Sequence, residues 1–182
     1  GGDGDAQGRM HNAIGEALAG GKDRDPDDRL RETLLDADFP LRNVDLLVSV
    51  SDQASADLRI PILLTLPAAC RGVSYEPAIG PVDFAKWLDP ESRGGAPLID
   101  WVICGGESGP GARPFKTSWA ANVVAQCADA EVACFVKQLG AWPIFDRAFG
   151  DHPRSGHERL ADRAGADPSE WPADLRVREF VW

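Results

Sequence analysis

Between Asn43 and Gly140 the chain alternates short, nearly continuous apolar runs with longer segments whose apolar residues recur at helical spacing. Four runs read as strands because they are short, rich in Val, Ile and Leu, and bounded by turn residues. They are residues 44–50 (VDLLVSV), Cys70–Tyr75 (CRGVSY), 98–104 (LIDWVIC) and 132–137 (VACFVK). Between them the pattern predicts helices over 54–66, 82–88 and 117–130. Pro61 in the first must sit near a turn or kink it, and Thr117 is the candidate N-cap of the last, with Val123, Val124 and Cys127 on its apolar side. Strands alternating with helices imply a parallel sheet with right-handed crossovers. Strands this apolar predict cover on both faces of the sheet. A complete (β/α)₈ barrel needs eight units and about 250 residues, whereas four units are visible. The predicted fold is therefore α/β: a partial (β/α) barrel with about four parallel strands and flanking helices, or else a small open sheet.

Outside this rhythm the pattern changes character. Residues 1–40 read as a helical or flexible leader, with short helical candidates at 12–18 and 28–36, the second placing Leu30, Leu34 and Leu35 at helical spacing. Residues 41–145 form the predicted core. Residues 146–182 are polar and irregular, ending in DPSEWP and DLRVR, and are predicted to pack on the core as a tail. No internal repeat beyond the strand–helix rhythm is visible.

Composition narrows the classes. The 182 residues are 43% hydrophobic and 26% charged, as in a globular protein. No apolar run approaches the roughly 20 residues of a membrane span, and the start, GGDGD, has neither a basic nor an apolar signal region. That start also lacks Met, which points to a processed chain or an engineered fragment. A net charge of −10 argues against general nucleic-acid binding, since a polyanion gains little from such a surface. Cys70, Cys104, Cys127 and Cys134 show no CxxC pair and no zinc-like spacing, so they read as reduced core residues of a cytoplasmic protein.

Candidate chemistry follows from the topology, because parallel α/β folds bind ligands outside the carboxyl ends of their strands. That rim would hold Ser49, Ser51, Asp52 and Gln53 after strand one, and Ser74, Tyr75 and Glu76 after strand two. Strand three contributes Gly105, Gly106, Glu107, Ser108, Gly109 and Arg113; strand four contributes Lys137 and Gln138. Glu76, Glu107 and Lys137 are the candidate catalytic groups and are expected to converge. With Ser49, Gly105, Gly106, Ser108 and Gly109 they form a polar rim that could bind a small polar ligand, and no metal ligands are expected. Each has a plainer reading. GGESG is neither a dinucleotide fingerprint nor a P-loop and fits a tight strand–helix turn; Glu76 before Pro77 fits a cap; Lys137 fits a structural ion pair.

Three stretches carry a family resemblance: VSVSDQASADLRIPILLTLPAACRGVSYEPAIGPVDF, IDWVICGGESGPGARPF and CFVKQLG. Together with the ending DPSEWPADLRVREF, they resemble a phage and bacterial protein family of unknown function that is similar to radical-SAM enzymes. The resemblance covers residues 40–140 and the tail. It implies a radical-SAM-like partial barrel whose amino-terminal half holds a [4Fe–4S] cluster on three closely spaced cysteines, with S-adenosylmethionine on the open iron. The four cysteines here do not reproduce that spacing. The chain thus resembles the carboxyl-terminal half of such a protein, with no cofactor of its own; in a complete member the resemblance implies that Ser49, Glu76, the loop of Gly105, Gly106, Ser108 and Gly109, and Lys137 line the cofactor and substrate side.

Three functions stay open on this reading. One is a phage-type, radical-SAM-like fragment that is not catalytic alone. Another is an interaction module, with a second copy or a partner protein covering the open sheet edge. The third is a small hydrolase or transferase using the Glu/Lys rim.

Overall fold

The computed structural model describes residues 40–89, 98–146 and 156–181; both helices expected in the leader lie outside them. The central sheet contains β1 (Asp45–Ser49), β2 (Cys70–Tyr75), β3 (Trp101–Gly105) and β5 (Ala133–Gln138). All neighbours are parallel and the spatial order is β1-β2-β3-β5. Each strand overlaps the apolar run that predicts it. The connections between successive strands carry α1 (Gln53–Leu63), α2 (Ala85–Leu88) and α3 (Thr117–Asp129). Among the described residues the result is a four-stranded parallel α/β sheet in which no closure into a barrel is seen.

Helix starts follow local chemistry. Asp52 caps α1: its carboxylate accepts from the Ser55 backbone N–H at 2.8 Å, while the Ser55 hydroxyl accepts from Asp52 N–H at 3.1 Å. This reciprocal capping satisfies two donors that the first turn leaves open. Pro61 lies inside α1 near its carboxyl end and does not terminate it. In α3 the expected cap is displaced by one residue. Lys116 holds the N-cap position, and Thr117 is fully buried, its hydroxyl donating to Ile144 O at 3.2 Å.

Where cover was expected on both faces, the helices among the described residues cover one. Strands added in one direction through right-handed crossovers put the helices of the described residues on the same face. That face carries Val73, Tyr75, Val102, Cys104, Cys134 and Val136, all buried against the helices. The opposite face carries Leu47, Ser49, Ser74, Trp101, Ile103 and Phe135, and Leu47 remains 41% exposed. Among the described residues, only the carboxyl-terminal segment reaches this face. Phe180 packs edge-on to Phe135, with ring centres 5.0 Å apart, and beside Trp101 at 6.0 Å.

The same segment covers the β5 edge. Arg178 bridges Phe135 in antiparallel fashion, Val136 N–H donates to Val177 O at 2.9 Å, and Glu179 N–H donates to Cys134 O at 2.9 Å. Residues after β5 are less irregular than expected. A second, three-stranded sheet joins β4 (Phe115–Lys116), β6 (Pro143–Phe145) and β7 (Gly156–His157), with β4 and β6 parallel and β7 antiparallel. Two- and three-residue strands have no length over which a period could show. No helix among the described residues is long and apolar enough to cross a membrane.

Candidate functional site

The carboxyl ends of β2, β3 and β5 meet at one rim of the open face, opposite α1, α2 and α3. The ladder between β3 and β5 pairs Cys104 with Val136 and Gly105 with Gln138, so Lys137 has no residue opposite it. A bulge of this kind re-aims a side chain at the end of a strand. Lys137 Nζ lies 3.1 Å from Glu76 Oε2. Glu76 directly follows β2 and precedes Pro77 through a cis peptide bond. Its side chain is 16% exposed and that of Lys137 54%. The pair is therefore anchored on the carboxylate side and open to solvent on the ammonium side.

Gly105 makes room for this carboxylate. A side chain there would overlap Glu76 Oε1 and lie 3.0 Å from its carboxyl carbon. Gly106 is constrained differently, because a Cβ would stand 2.5 Å from Leu139 O and 2.9 Å from Phe115 Cβ. Gly106 N–H donates to Gln138 O at 3.0 Å, and Gln138 Nε2 donates back to Gly106 O at 2.8 Å. These two glycines fit strand ends and neighbouring side chains tightly together, whereas Ser108 and Gly109 stand exposed at the loop tip.

The expected convergence of three charged groups is met by two. Glu107 is engaged by Arg113 in its own loop: Arg113 Nε and N–H each donate to Oε2 at 2.9 Å, and Nη2 donates to Oε1 at 3.1 Å. This forked guanidinium contact holds the Glu107 carboxyl below its usual range and raises the Arg113 guanidinium. The loop that permits it turns through Gly109 (φ +102°) and Gly111 (φ +77°), a route the spacing Glu107…Arg113 does not announce.

Other rim candidates have structural partners. Asp52 caps α1, and its carboxyl is held low by the Ser55 contacts. Gln53 bonds Asp57 and the Asp83 backbone N–H. Tyr75 points to the helical face, where its hydroxyl donates to Gly80 O, and burial pushes its phenol up. Ser51 accepts at its carbonyl from Ile79 N–H at 2.9 Å. Ser49 and Ser74 sit side by side in register on the open face.

The cysteines do not fit a cluster. Cys104, Cys127 and Cys134 are buried between the sheet and α3, with Cys127 and Cys134 in thiol–thiol contact. Burial pushes the Cys104 thiol up, and contact with Cys134, then burial, does the same for Cys127. All three lie on the face away from the rim, on two strands and a helix, where they pack between sheet and helix. Among the described residues no three His, Cys, Asp or Glu side chains are grouped to hold a metal ion.

What the rim offers is a cation and an anion that a ligand can separate. A zwitterion such as an α-amino acid presents both complements, its ammonium to Glu76 and its carboxylate to Lys137. No curated protein and no solved structure matches the chain. Residues 8–167 match the family described as "Protein of unknown function (DUF5131)", and the chain belongs to that family.

Proposed function

We propose that the chain is the carboxyl-terminal portion of a phage-type, radical-SAM-like partial barrel, not catalytic alone, whose open face receives a zwitterionic ligand of the S-adenosylmethionine type. The observation behind this reading is the Glu76–Lys137 pair at the strand ends of that face. Ligands of parallel α/β folds lie outside those strand ends, and the methionyl group has the ammonium and carboxylate that the pair complements. The helices of the described residues, on one face, fit an arc of barrel, with Leu47, Trp101, Ile103 and Phe135 facing its interior.

Calorimetric titration with S-adenosylmethionine tests it. The expected result is weak binding that Glu76→Gln and Lys137→Ala each reduce by roughly tenfold, the usual scale of one charge-assisted contact. No binding, or binding that both variants retain unchanged, rejects the reading. The hydrolase or transferase alternative loses support because Glu107 is occupied by Arg113. The interaction-module alternative has one specific observation in its favour, the exposed apolar side chains Leu47 and Phe180 on the open face.

A further inference from the structure

A second recess lies away from the Glu76–Lys137 rim, where the loop after β3 faces the segment following β7. One lobe, of about 380 Å³, runs between Gly109, Gly140, Arg159 and Arg163. The other, of about 410 Å³, runs between Gly109, Gly111, Trp142, His157 and Arg159. Arg159, Gly109 and Ala141 border both, so the two lobes adjoin. Each falls within the roughly 300–1,000 Å³ typical of small-molecule sites.

Its charge is unlike the rest of the molecule. Acidic residues outnumber Lys and Arg by 29 to 19 over the whole sequence. Five arginines are tied to protein acceptors: Arg59 to Ser49 O, Arg71 to Leu66 O, Arg113 to Glu107, Arg176 to Trp171 O and Arg178 to Lys137 O. Arg159 and Arg163 have no hydrogen-bond or ion-pair partner among the described residues. Asp162 stands between them in sequence, yet both its carboxylate oxygens accept from the turn backbone, from Ala164 N–H at 3.1 Å and Ala166 N–H at 2.7 Å. Its charge shapes the turn that bears Arg163 and does not pair either guanidinium.

The walls add shape. At Gly109 and Gly111 a Cβ would meet nothing within 4 Å, so the loop backbone fronts open space. Gly165 packs so closely on Gly140 that a Cβ would stand 2.5 Å from Gly140 O, which fixes the two segments against each other. Trp142 is 44% exposed, and its ring and that of His157, inclined at 62° with centres 5.5 Å apart, both border the second lobe.

We infer that this recess is a nucleotide-binding site, with Arg159 and Arg163 holding a phosphate in the first lobe and Trp142 stacking a base in the second. Planar guanidinium forks match phosphate oxygens, and base–indole stacking tolerates any base. The site shares no side chain with the Glu76–Lys137 rim, so either reading can fail alone.

Calorimetric titration of the whole chain with AMP, UMP, adenosine and inorganic phosphate tests the inference. AMP and UMP should bind with similar affinity, and adenosine and phosphate each roughly tenfold or more weakly. Arg159→Ala and Arg163→Ala should each weaken AMP by a similar factor, with the melting temperature unchanged. Arg159→Lys keeps the charge and loses the fork, and should also weaken AMP. Trp142→Leu should bring AMP down to the level of phosphate, while Lys137→Ala should leave AMP binding as it was. No AMP binding at millimolar concentration, arginine variants that bind like the parent, or loss of AMP binding in Lys137→Ala would each overturn it.

Discussion

The Glu76 carboxylate occupies the space that a side chain on Gly105 would fill, and from there it reaches Lys137 at 3.1 Å. The charge pair of the rim therefore depends on the absence of a side chain on the neighbouring strand. Gly106, one residue on, is blocked by main chain instead.

That difference gives opposite expectations for two alanine substitutions. In Gly105→Ala the obstacle is the far end of a flexible side chain, which can swing into solvent. Stability should change little, but Glu76 should leave Lys137 and any ligand affinity of the rim should fall with it. In Gly106→Ala the methyl meets Leu139 main chain and Phe115 Cβ, neither of which can move alone, and the loss should be about 1–3 kcal/mol. Thermal unfolding of both variants checks the order. Equal destabilisation, or a stable Gly106→Ala, would contradict these contacts.

Thiol chemistry should report how tightly the four cysteines are enclosed. Cys104, Cys127 and Cys134 are at most 2% exposed, and the Cys70 thiol, 8% exposed, is pushed up to about 11, chiefly by burial. A thiol raised in the folded state favours folding below its unfolded value near 9.0, and that contribution fades as pH rises toward the folded value. Stability should thus decline from about pH 9 to 11, beyond what Cys70→Ala shows over the same window. Native protein should react with a thiol reagent far more slowly than protein in denaturant. Rapid reaction of all four thiols under native conditions would be incompatible with this packing.

The open face should govern self-association. Leu47 and Phe180, 41% and 51% exposed, flank half-buried Trp101, Ile103 and Phe135, and an apolar area of this kind invites a covering partner. Sedimentation of the chain should show concentration-dependent association, which Leu47→Asp reduces. A monomer at all concentrations, unchanged by Leu47→Asp, would remove the support for the interaction-module reading.

The strands were legible because their apolar runs are short, dense and separated by Gly, Pro and Asp. Which face each apolar residue serves was not legible. Leu47, Trp101, Ile103 and Phe135 look as buried in sequence as Val73 or Val136, and only strand order and crossover handedness separate them. At the site, Glu76 and Lys137 were legible as strand-end residues of adjacent units. The capture of Glu107 by Arg113 was not, since it depends on backbone turns at Gly109 and Gly111. The recess at Arg159 and Arg163 gave no signal either, because its walls come from loops far apart in sequence that tertiary contacts such as that of Gly140 with Gly165 bring together.

Trp171 is the sharpest test of the carboxyl-terminal segment as part of the core. It follows a 3₁₀ turn (Pro168–Glu170) capped by Asp167, whose carboxylate accepts from Ser169 N–H at 2.8 Å. Trp171 is fully buried; its indole Nε1 donates to Gly165 O at 3.0 Å, and Arg176 Nη2 donates to its carbonyl at 2.8 Å. Arg178 lies over the same ring at 5.3 Å and over Phe135 at 5.2 Å, linking the segment to β5. Trp171→Ala removes a large side chain from a closed space and should cost about 3–5 kcal/mol. Trp171→Phe keeps most of the packing but leaves Gly165 O without its donor, and should cost less, by an amount that includes about 1 kcal/mol for the lost hydrogen bond. Arg178→Ala should loosen the β5 edge without emptying the core, seen as faster amide exchange at Val136 and Glu179, whose N–H groups bond across that edge. Denaturant unfolding gives the first two values and hydrogen exchange the third. A Trp171→Ala protein as stable as the parent would show that the tail rests on the sheet without stabilising it, and the β5 edge would then need another cover.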